Sequence, residues 1–391
     1  MNVFIPKHIL KEKEPLHPLP PKIENLEAVA AQNELNALLK REDISANALP
    51  SEEKKPIVLL LHGYGSSKWL YIEPYFGTFG WLRDYHFRPK PKSFGWHSKP
   101  PPSHMYLPFA YSISPILKVE GLFVRLMRKR IDVITYSQKE PFGDINLSAN
   151  ELKEILDGIK RVYGERRILV VGHSRGGICI RKYLEQNKNE LIEKAIFLGT
   201  PHRGTNLTNL FFLKQPLIKL LNESNLKRFW DITGRRRVTS LKPEQLSTNS
   251  KFLLDLKDRE QTPNVKYIFI AGNCATYAHI YSWKIEQTVT KRTIKHIFST
   301  KEGDAVNIKN NEGKKKEKVY HWLAKPKKIL TIFEGVLLPE FAQGDGMVSL
   351  KSALYGEADE KIIFNVNHEE LAVCEPLERK ILKELTNFNP K

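Results

Sequence analysis

The chain has 391 residues, of which 41% are hydrophobic and 27% charged, a balance typical of a folded protein with a large core and not of a disordered one. Its three cysteines show no CxxC spacing, so we expect no disulfide framework. No signal-peptide core is visible, and no apolar run reaches the length of a membrane span, about 18 residues. We therefore expect a cytoplasmic protein, unless a leader was removed. The net charge of +18 comes without zinc-ligand spacing, an RNA-binding aromatic signature or a recognition-helix pattern, so no nucleic-acid partner is expected.

Residues 1–55 are predicted to form an N-terminal arm, in which Glu24–Leu39 has the apolar spacing of a helix. The core is then predicted to begin with the apolar strand Pro56–Leu61, which ends in the glycine-rich segment HGYG. Glycines there let the backbone approach a substrate, and the N–H of Tyr64 is a candidate donor to a developing oxyanion. Taken alone, the same segment also fits an ordinary glycine turn.

The most informative motif is GHSRG at residues 172–176, which lies between a predicted buried strand and a predicted helix. Small residues two positions before and two positions after Ser174 allow a tight strand-to-helix turn that exposes the serine hydroxyl at the C-terminal edge of a sheet. Ser174 is therefore the predicted nucleophile, and the N–H of Arg175 is the second candidate oxyanion donor. Upstream, Ile131–Tyr136 is predicted as a strand, and the capping box Ser148-x-x-Glu151 predicts a helix that runs to about Tyr163.

The α/β core is predicted to span 56–205 and 264–391, with additions at 64–118, 206–263 and 274–341. The first addition is rich in aromatic residues and proline, and the last also carries several aromatic residues that fit either a core or an acyl pocket. Apolar residues recur at helical spacing in 206–263, which favours either a helical cap or lid over Ser174 or two ordinary packed helices. We interpret His202 as structural, since it follows the strand directly after the motif and comes too early in the chain to be the base.

Two further segments supply partners for the serine. Asp345 lies between two glycines in a tight loop, where a carboxylate can turn inward, although alone it also fits a solvated turn. His368 directly follows the predicted strand Lys361–Val366 and therefore lies at a strand's C-terminal end. The order Ser, Asp, His is the order expected of an α/β-hydrolase. Since imidazole titrates near pH 6.5, His368 suits the role of base toward Ser174, with Asp345 holding its tautomer.

These motifs together resemble those of lipases of the α/β-hydrolase superfamily, in particular bacterial lipases and the related phospholipid acyltransferase and inositol-deacylase-like groups. The segments that carry the resemblance are LLLHGYG, GHSRGG, GTPHRGT, GDGMVS and NHEEL. It covers about 56–61, 131–205, 265–273 and 344–384, but neither the first fifty residues nor the large insertions. The resemblance implies an α/β-hydrolase fold, with a mostly parallel central sheet flanked by helices and with cap or lid insertions. It implies the same roles for the residues reached above, namely Ser174, Asp345 and His368 as catalytic residues and the amides of Tyr64 and Arg175 as the oxyanion hole.

No cofactor is expected from the residues themselves. The resemblance to lipases is the only reason to consider a structural calcium ion. Some lipases of this type bind calcium beside the catalytic histidine, and Glu370 stands where such a ligand could be, but no second ligand is evident. The expected partner is an acyl-ester or lipid substrate. Lysines cluster at 314–316 and 325–328, which fits either a solvated loop or attraction to an anionic membrane surface.

The sequence therefore predicts a serine ester hydrolase of lipase or carboxylesterase type that acts through an acyl-enzyme intermediate. A phospholipase or lipid acyltransferase would use the same site with a different leaving group or acceptor. A non-catalytic lipid-binding protein on a hydrolase fold is the third alternative. The intact set of Ser174, Asp345 and His368 argues against the third alternative, because drift would strike at least one of three unlinked positions.

Overall fold

The computed structural model describes two compact units, one formed by Met1–His86, Ser114–Ala278 and Phe333–Lys391, the other by Phe87–Ile113 and His279–Ile332. Within them, the structure describes residues 25–74, 92–96, 120–187, 191–206, 208, 242–275, 278–294, 315–332 and 343–388, with the backbone alone described at 92–96, 278–294 and 315–332. Among these residues, no helix is both long and apolar enough to cross a membrane.

The first unit is built on a seven-stranded sheet. Its strands are Ile44–Asn47 (β1), Ile57–Leu61 (β2), Val133–Tyr136 (β4), Ile168–His173 (β5), Ile192–Leu198 (β6), Lys266–Gly272 (β7) and Glu360–Phe364 (β10), and β3, β8 and β9 belong to the second unit. The order in the sheet is β1-β4-β2-β5-β6-β7-β10, and all neighbouring strands are parallel except β1, which pairs antiparallel with β4. The central strands read as continuous apolar runs because both faces of a parallel sheet are covered.

Helices flank this sheet. Their bounds are Leu26–Leu39 (α1), Trp69–Ile72 (α2), Leu122–Arg128 (α3), Ile145–Tyr163 (α4), Arg175–Gln186 (α5), Lys251–Leu254 (α6), Asp258–Gln261 (α7), Leu350–Ala353 (α8) and Glu375–Thr386 (α9), with 3₁₀ turns at Pro243–Leu246 and Glu370–Ala372. One core cluster joins α1, α4 and α5 to alternate residues of the strands, such as Ile168 and Val170 of β5. The intervening Leu169 and Val171 are buried as well, so side chains leave the strand into covered faces on both sides.

The predicted capping box at Ser148 is wrong. Helix α4 begins at Ile145, and its N-cap is Asp144, whose carboxylate accepts a hydrogen bond from the N–H of Asn146. Ser148 and Glu151 lie inside the helix and are used in tertiary contacts. Ser148 Oγ accepts from Arg175 Nη2 at 3.0 Å, and the Glu151 carboxylate is paired with the guanidinium of Arg41.

The segment predicted as an N-terminal arm contributes α1 and β1 to the first unit, where α1 packs on both β1 and α4. Its residues 1–24 lie outside the described part of the chain. The same holds for 207 and 209–241 of the segment predicted as a cap, including most of its apolar repeat. The described remainder of that segment, 242–263, forms the 3₁₀ turn Pro243–Leu246 and the short helices α6 and α7.

The second unit contains a three-stranded sheet with the order β3-β9-β8, in which β3 is Lys92–Trp96, β8 is Ala278–Ile294 and β9 is Lys315–Ile332. Strand β3 pairs antiparallel with β9, so that Phe94 lies opposite Trp322 and Trp96 opposite Tyr320. Strands from the two predicted insertions at 64–118 and 274–341 are thus hydrogen-bonded to each other, although the paired Trp96 and Tyr320 are 224 positions apart in the sequence.

Candidate active site

Ser174 lies in the turn between β5 and α5, at the centre of the parallel sheet. Its backbone has φ 53° and ψ −123°, a conformation that costs an L-residue about 1–3 kcal/mol. The neighbouring glycines make the turn feasible, because a Cβ at Gly172 would come within 2.7 Å of Gly177 N and one at Gly176 within 2.6 Å of His62 O. Two backbone hydrogen bonds hold the turn, from Ser174 N to Leu198 O at 2.7 Å and from Gly177 N to Ser174 O at 3.0 Å.

Asp345 and His368 form a direct hydrogen bond. His368 Nδ1 lies 2.7 Å from Asp345 Oδ2, and both side chains are buried. The other carboxylate oxygen, Oδ1, accepts from the backbone N–H groups of Met347 at 3.0 Å and Val348 at 2.7 Å. Because a carboxylate only accepts, His368 donates from Nδ1, which leaves Nε2 to act as the base in the neutral ring.

The electrostatics of His368 favour this pairing. Burial by itself lowers the pKa of His368, but the charge of Asp345 and its hydrogen bond, with a smaller contribution from Glu369, outweigh burial and raise the pKa above its ordinary value of 6.5. A carboxylate that stabilises the imidazolium in this way is what a general base needs when it takes a proton from a serine hydroxyl.

The end of β6 links the turn at Ser174 to this pair. Ser174 N bonds to the carbonyl of Leu198 at the end of β6, and the next residue, Gly199, packs against the pair. A Cβ on Gly199, which has φ +51°, would come within 2.7 Å of Asp345 Oδ2 and 3.0 Å of His368 Nδ1. Gly199 must therefore be a glycine, both for its backbone conformation and for the room it leaves beside the carboxylate.

The glycine segment after β2 lies beside the turn at residues 172–176 between β5 and α5, which we call the elbow. A Cβ on Gly63 would come within 2.9 Å of Ser174 Cβ, so this segment passes beside the serine. Tyr64, the next residue, packs its ring edge-on against Phe142 with ring centroids 5.0 Å apart. Arg175 is the first residue of α5, and its backbone N–H is one of the amides that an α-helix leaves without an intrahelical acceptor. Arg175 therefore directly follows Ser174 in the chain, and Tyr64 directly follows Gly63, which lies beside the serine.

Sequence reasoning missed three polar residues around the site: His62, Gln138 and His173. Each is buried and hydrogen-bonded to another segment of the site. Gln138 carries no motif signal, since its contacts join segments far apart in the chain. His62 begins HGYG and His173 stands inside GHSRG, but in neither motif does the sequence indicate what the imidazole contacts.

Glu370, the residue considered as a calcium ligand, is buried and holds the loop that carries His368. Its Oε2 accepts from Asn367 N at 3.1 Å, and its own N–H donates to Asn367 Oδ1 at 2.9 Å. Across the described ranges, no three His, Cys, Asp or Glu side chains converge as metal ligands. The carboxylate at this position therefore has a structural use within the loop itself.

His202 lies away from the Asp345–His368 pair and stacks on Phe269, with ring centroids 4.0 Å apart. Neither of its ring nitrogens has a hydrogen-bond partner among the described residues, and burial lowers its pKa well below 6.5. It lines a cavity of about 350 Å³ together with Tyr267 and Phe269, and none of the five predicted site residues lines that cavity.

Comparisons with known proteins find one family and several solved structures that are similar to this chain. A family described as an alpha/beta hydrolase of unknown function (DUF915) matches residues 119–219, which include the elbow. Solved structures similar to this chain include a mature lipase from Bacillus licheniformis (17% identity, 88% of this chain and 97% of that chain, TM-score 0.45), a lipase-esterase related protein from Clostridium acetobutylicum (11%, 88% and 98%, 0.35) and phospholipase PlaB from Legionella pneumophila (15%, 57% and 40%, 0.31). No curated protein sequence matches the chain. The mostly parallel seven-stranded sheet, the strand–serine–helix turn at its centre and the family match over residues 119–219 confirm the predicted α/β-hydrolase fold and support the resemblance to that superfamily.

Proposed function

We propose that this protein is a serine ester hydrolase of lipase or carboxylesterase type. The observation that carries the proposal is the 2.7 Å bond between His368 Nδ1 and Asp345 Oδ2, at the sheet edge where Ser174 occupies its strained turn. In the proposed reaction, His368 Nε2 takes the proton of Ser174 Oγ as the oxygen attacks the ester carbonyl. The tetrahedral intermediate expels the alcohol, which receives that proton, and leaves an acyl-enzyme on Ser174.

Water completes the proposed cycle. His368 takes a proton from water, the hydroxide attacks the acyl-enzyme, and the carboxylic acid leaves as Ser174 Oγ regains its proton. The backbone amides of Tyr64 and Arg175 stabilise the oxyanion in both steps, each by about 3 kcal/mol if it acts like oxyanion-hole donors in other acyl-transfer enzymes. No metal ion is required in this scheme, since two amides and an imidazole supply the charge stabilisation and the proton transfer.

The test is the initial rate of hydrolysis of p-nitrophenyl esters from acetate to palmitate. The wild type is compared with Ser174→Ala, and His202→Phe serves as a matched control for substitution of a buried side chain outside the site. We expect Ser174→Ala to lose about 10⁴-fold or more of the rate with its melting temperature kept. A preference for long chains identifies a lipase and a preference for short chains a carboxylesterase. Full activity in Ser174→Ala would overturn the proposal.

A phospholipase or lipid acyltransferase is the second candidate, and the net charge of +18 favours it. A basic protein is attracted to anionic lipid surfaces by about 1 kcal/mol for each lysine or arginine near the surface. The same site would then act on a phospholipid ester. Faster turnover of anionic phospholipid vesicles than of soluble short-chain esters, lost in Ser174→Ala and weakened by salt, would favour this candidate over the first.

A non-catalytic lipid-binding protein would fail both assays, and covalent labelling separates it from the two enzymes. A fluorophosphonate reacts with a serine only where a base activates the serine and an oxyanion hole accepts the phosphoryl oxygen. We expect labelling of the wild type and none of Ser174→Ala. An unlabelled wild type would favour the non-catalytic alternative.

A further inference from the structure

The two residues that flank Ser174 direct their side chains to opposite parts of the site. His173 precedes the serine and Arg175 follows it, and both side chains are almost completely buried. Neither side chain has a role in the reaction proposed above, which uses only the backbone N–H of Arg175. A buried imidazole and a buried guanidinium are costly to desolvate, so their hydrogen-bond partners show what they contribute.

His173 reaches the loop of the proposed base. Its Nε2 lies 2.8 Å from the backbone carbonyl oxygen of His368, and the two imidazole rings are 4.6 Å apart. A carbonyl only accepts, so His173 carries its proton on Nε2 and donates it. Burial, with the nearby His368, holds the pKa of His173 well below 6.5, which keeps the ring neutral and this tautomer fixed.

Arg175 reaches the glycine segment through Gln138. Arg175 Nη1 donates to Gln138 Oε1 at 2.6 Å, and its Nη2 donates to the carbonyl of Gly143 at 2.9 Å and to Ser148 Oγ at 3.0 Å. Gln138 in turn donates from Nε2 to the carbonyl of His62 at 2.7 Å. His62 directly precedes Gly63 and Tyr64.

A second bond from Gln138 fixes the ring of His62. The backbone N–H of Gln138 donates to His62 Nε2 at 2.9 Å, which requires a lone pair there and places the proton of His62 on Nδ1, 2.9 Å from Gly63 O. Gln138 is itself buried, and each polar group of its side chain is used. Replacing the Gln138 side chain would therefore leave Arg175 Nη1 and the His62 carbonyl without the partner they share, while the backbone bond to His62 Nε2 stays.

We propose that His173 and Gln138 are positioning residues: His173 holds the His368 loop against the elbow through the His368 carbonyl, and Gln138 holds the His62–Tyr64 segment against the elbow through Arg175. This inference rests on the proposed function, because it assigns the two segments to the base and to the oxyanion hole. The physical basis is that a misplacement of about 1 Å at a catalytic group can reduce a rate about 100-fold.

We call the His173–His368 contact and the Arg175–Gln138–His62 contacts the two braces of the site, and they predict different kinetic signatures. His173→Phe keeps a ring but removes the donor, so the His368 loop shifts relative to Asp345. We expect kcat to fall by about 10- to 100-fold. We also expect the acid limb of the kcat/KM pH profile to move to lower pH. Among the described residues, Asp345 and Glu369 raise the pKa of His368 while His173 is neutral, so a His368 imidazole that moves from Asp345 has a lower pKa. His173→Gln, which restores a donor near the Nε2 position, should recover part of kcat.

Gln138→Met removes every side-chain hydrogen bond of Gln138 at nearly constant volume. We expect kcat and the rate of fluorophosphonate labelling to fall together by about 10- to 100-fold, with KM and the acid limb unchanged, because the defect lies in the oxyanion donors. Gln138→Glu keeps an acceptor for Arg175 but places a carboxylate oxygen against the His62 carbonyl, and it should show the same signature. Both variants are examined for folding by circular dichroism and melting temperature.

Matched controls come from outside the site. His202→Phe replaces a buried histidine whose ring nitrogens bond to none of the described residues. Gln32→Met removes a glutamine whose Oε1 accepts from Ala46 N in the β1 region. Neither should change kcat or the pH profile of the folded protein. The inference would be overturned if His202→Phe lost as much kcat as His173→Phe, or Gln32→Met as much as Gln138→Met. It would also be overturned if His173→Phe kept the wild-type kcat and pH profile and Gln138→Met kept the wild-type kcat.

A spectroscopic measurement separates this inference from the proposed function. The low-field proton resonance of His368 Nδ1–H reports the bond to Asp345 without any turnover, and its assignment follows from its loss in Asp345→Ala. We expect it to shift or broaden in His173→Phe and to persist in Gln138→Met. If the wild type shows this resonance but is neither active nor labelled, the proposed function fails while the brace remains; an unchanged resonance in His173→Phe overturns the brace itself.

Discussion

The two ends of the parallel strands in the seven-stranded sheet use polar side chains in different ways; we call the side where these strands begin the amino edge and the side where they end the carboxyl edge. At the amino edge, before β2, β4 and β5, Arg166 is buried and all of its donor groups are used. Its Nε donates to Lys55 O at 2.7 Å, Nη1 to Leu49 O at 2.8 Å and Nη2 to Asp132 Oδ2 at 2.6 Å. Asp132 also accepts from the N–H of Leu49 at 3.2 Å. A buried charge is stable only when its partners are complete, as they are here.

The carboxyl edge of the same strands differs. Ser174 stands at a positive φ, and His173 Nδ1 and Thr200 Oγ1 are buried without a hydrogen-bond partner in the described part of the chain. Among the described residues, a positive φ and a buried hydroxyl without a partner also occur near the amino edge, at Arg130 and Tyr163. The edges therefore differ in the groups they bring together: a fully bonded ion pair at the amino edge, and a strained serine turn with an Asp–His pair at the carboxyl edge. We expect the amino edge to serve stability and the carboxyl edge to serve chemistry.

The largest expected effect comes from Asp345→Asn, which tests the carboxyl edge. The amide keeps the shape but favours the wrong tautomer of His368. We expect kcat to fall by about 10⁴-fold, with a loss in the free energy of unfolding that is small above the folded pKa of His368 and grows as the pH falls. Ester hydrolysis and urea denaturation measure the two quantities. A kcat close to the wild-type value would contradict the role of Asp345. The catalytic acid would then be another carboxylate, such as Glu334 or Glu340, which lie outside the described residues.

Asp132→Asn is the matched substitution at the amino edge. It leaves the Arg166 guanidinium buried without its counter-charge, and we expect the free energy of unfolding to fall by about 3–5 kcal/mol while kcat of the folded protein is unchanged. Urea denaturation at neutral pH and active-site titration give both values. A fall in kcat at constant stability would contradict the division between the two edges.

Much of the sheet and the candidate site could be predicted from the sequence because their signals are local. Buried parallel strands such as Ile57–Leu61 and Ile168–His173 are short apolar runs, and the strand–serine–helix turn needs small residues at fixed positions. The chain order of Ser174, Asp345 and His368 then supplied the partners, although it carried no information on their distances.

What could not be predicted depends on tertiary contacts. Strand β1 is only four residues long and forms at an edge, so it shows no apolar run. In α1, Leu26 and Leu38 of the predicted apolar stripe are exposed, and the face that packs is made by Ala28, Ala31 and Leu35. Helix α4 begins before the predicted capping box because Asp144 caps it, and Ser148 instead bonds to Arg175, a partner that adjacent sequence does not reveal.

A smaller effect is expected when the strain at Ser174 is relieved. Glycine tolerates φ 53° and ψ −123°, so Ser174→Gly should unfold at a free energy about 1 kcal/mol higher than Ser174→Ala, although both are inactive. At an ordinary position alanine is the more stabilising of the two, and Ser45 in β1 is the control. Urea denaturation of all four variants measures the difference. The same order at both positions would contradict strain at the elbow.

The smallest expected effect is a pH dependence of opposite sign for activity and stability. Since the pKa of His368 is raised above 6.5 in the folded protein, kcat/KM should increase as the pH rises through that pKa and the imidazole becomes a base. The contribution of His368 to stability is fully present below its unfolded pKa and is lost as the pH rises through the folded pKa.

Measurements of kcat/KM and of urea denaturation between about pH 5.5 and pH 8.5 cover this window. The difference in the free energy of unfolding between the wild type and Asp345→Asn isolates the contribution of the His368–Asp345 pair, and it should shrink as the pH rises while wild-type activity grows. Asp132→Asn, which leaves the pair intact, should keep both wild-type pH dependences in form. If the difference instead grows with pH, the imidazolium is not stabilised by Asp345, and the carboxyl edge loses the electrostatic feature that most distinguishes it from the amino edge.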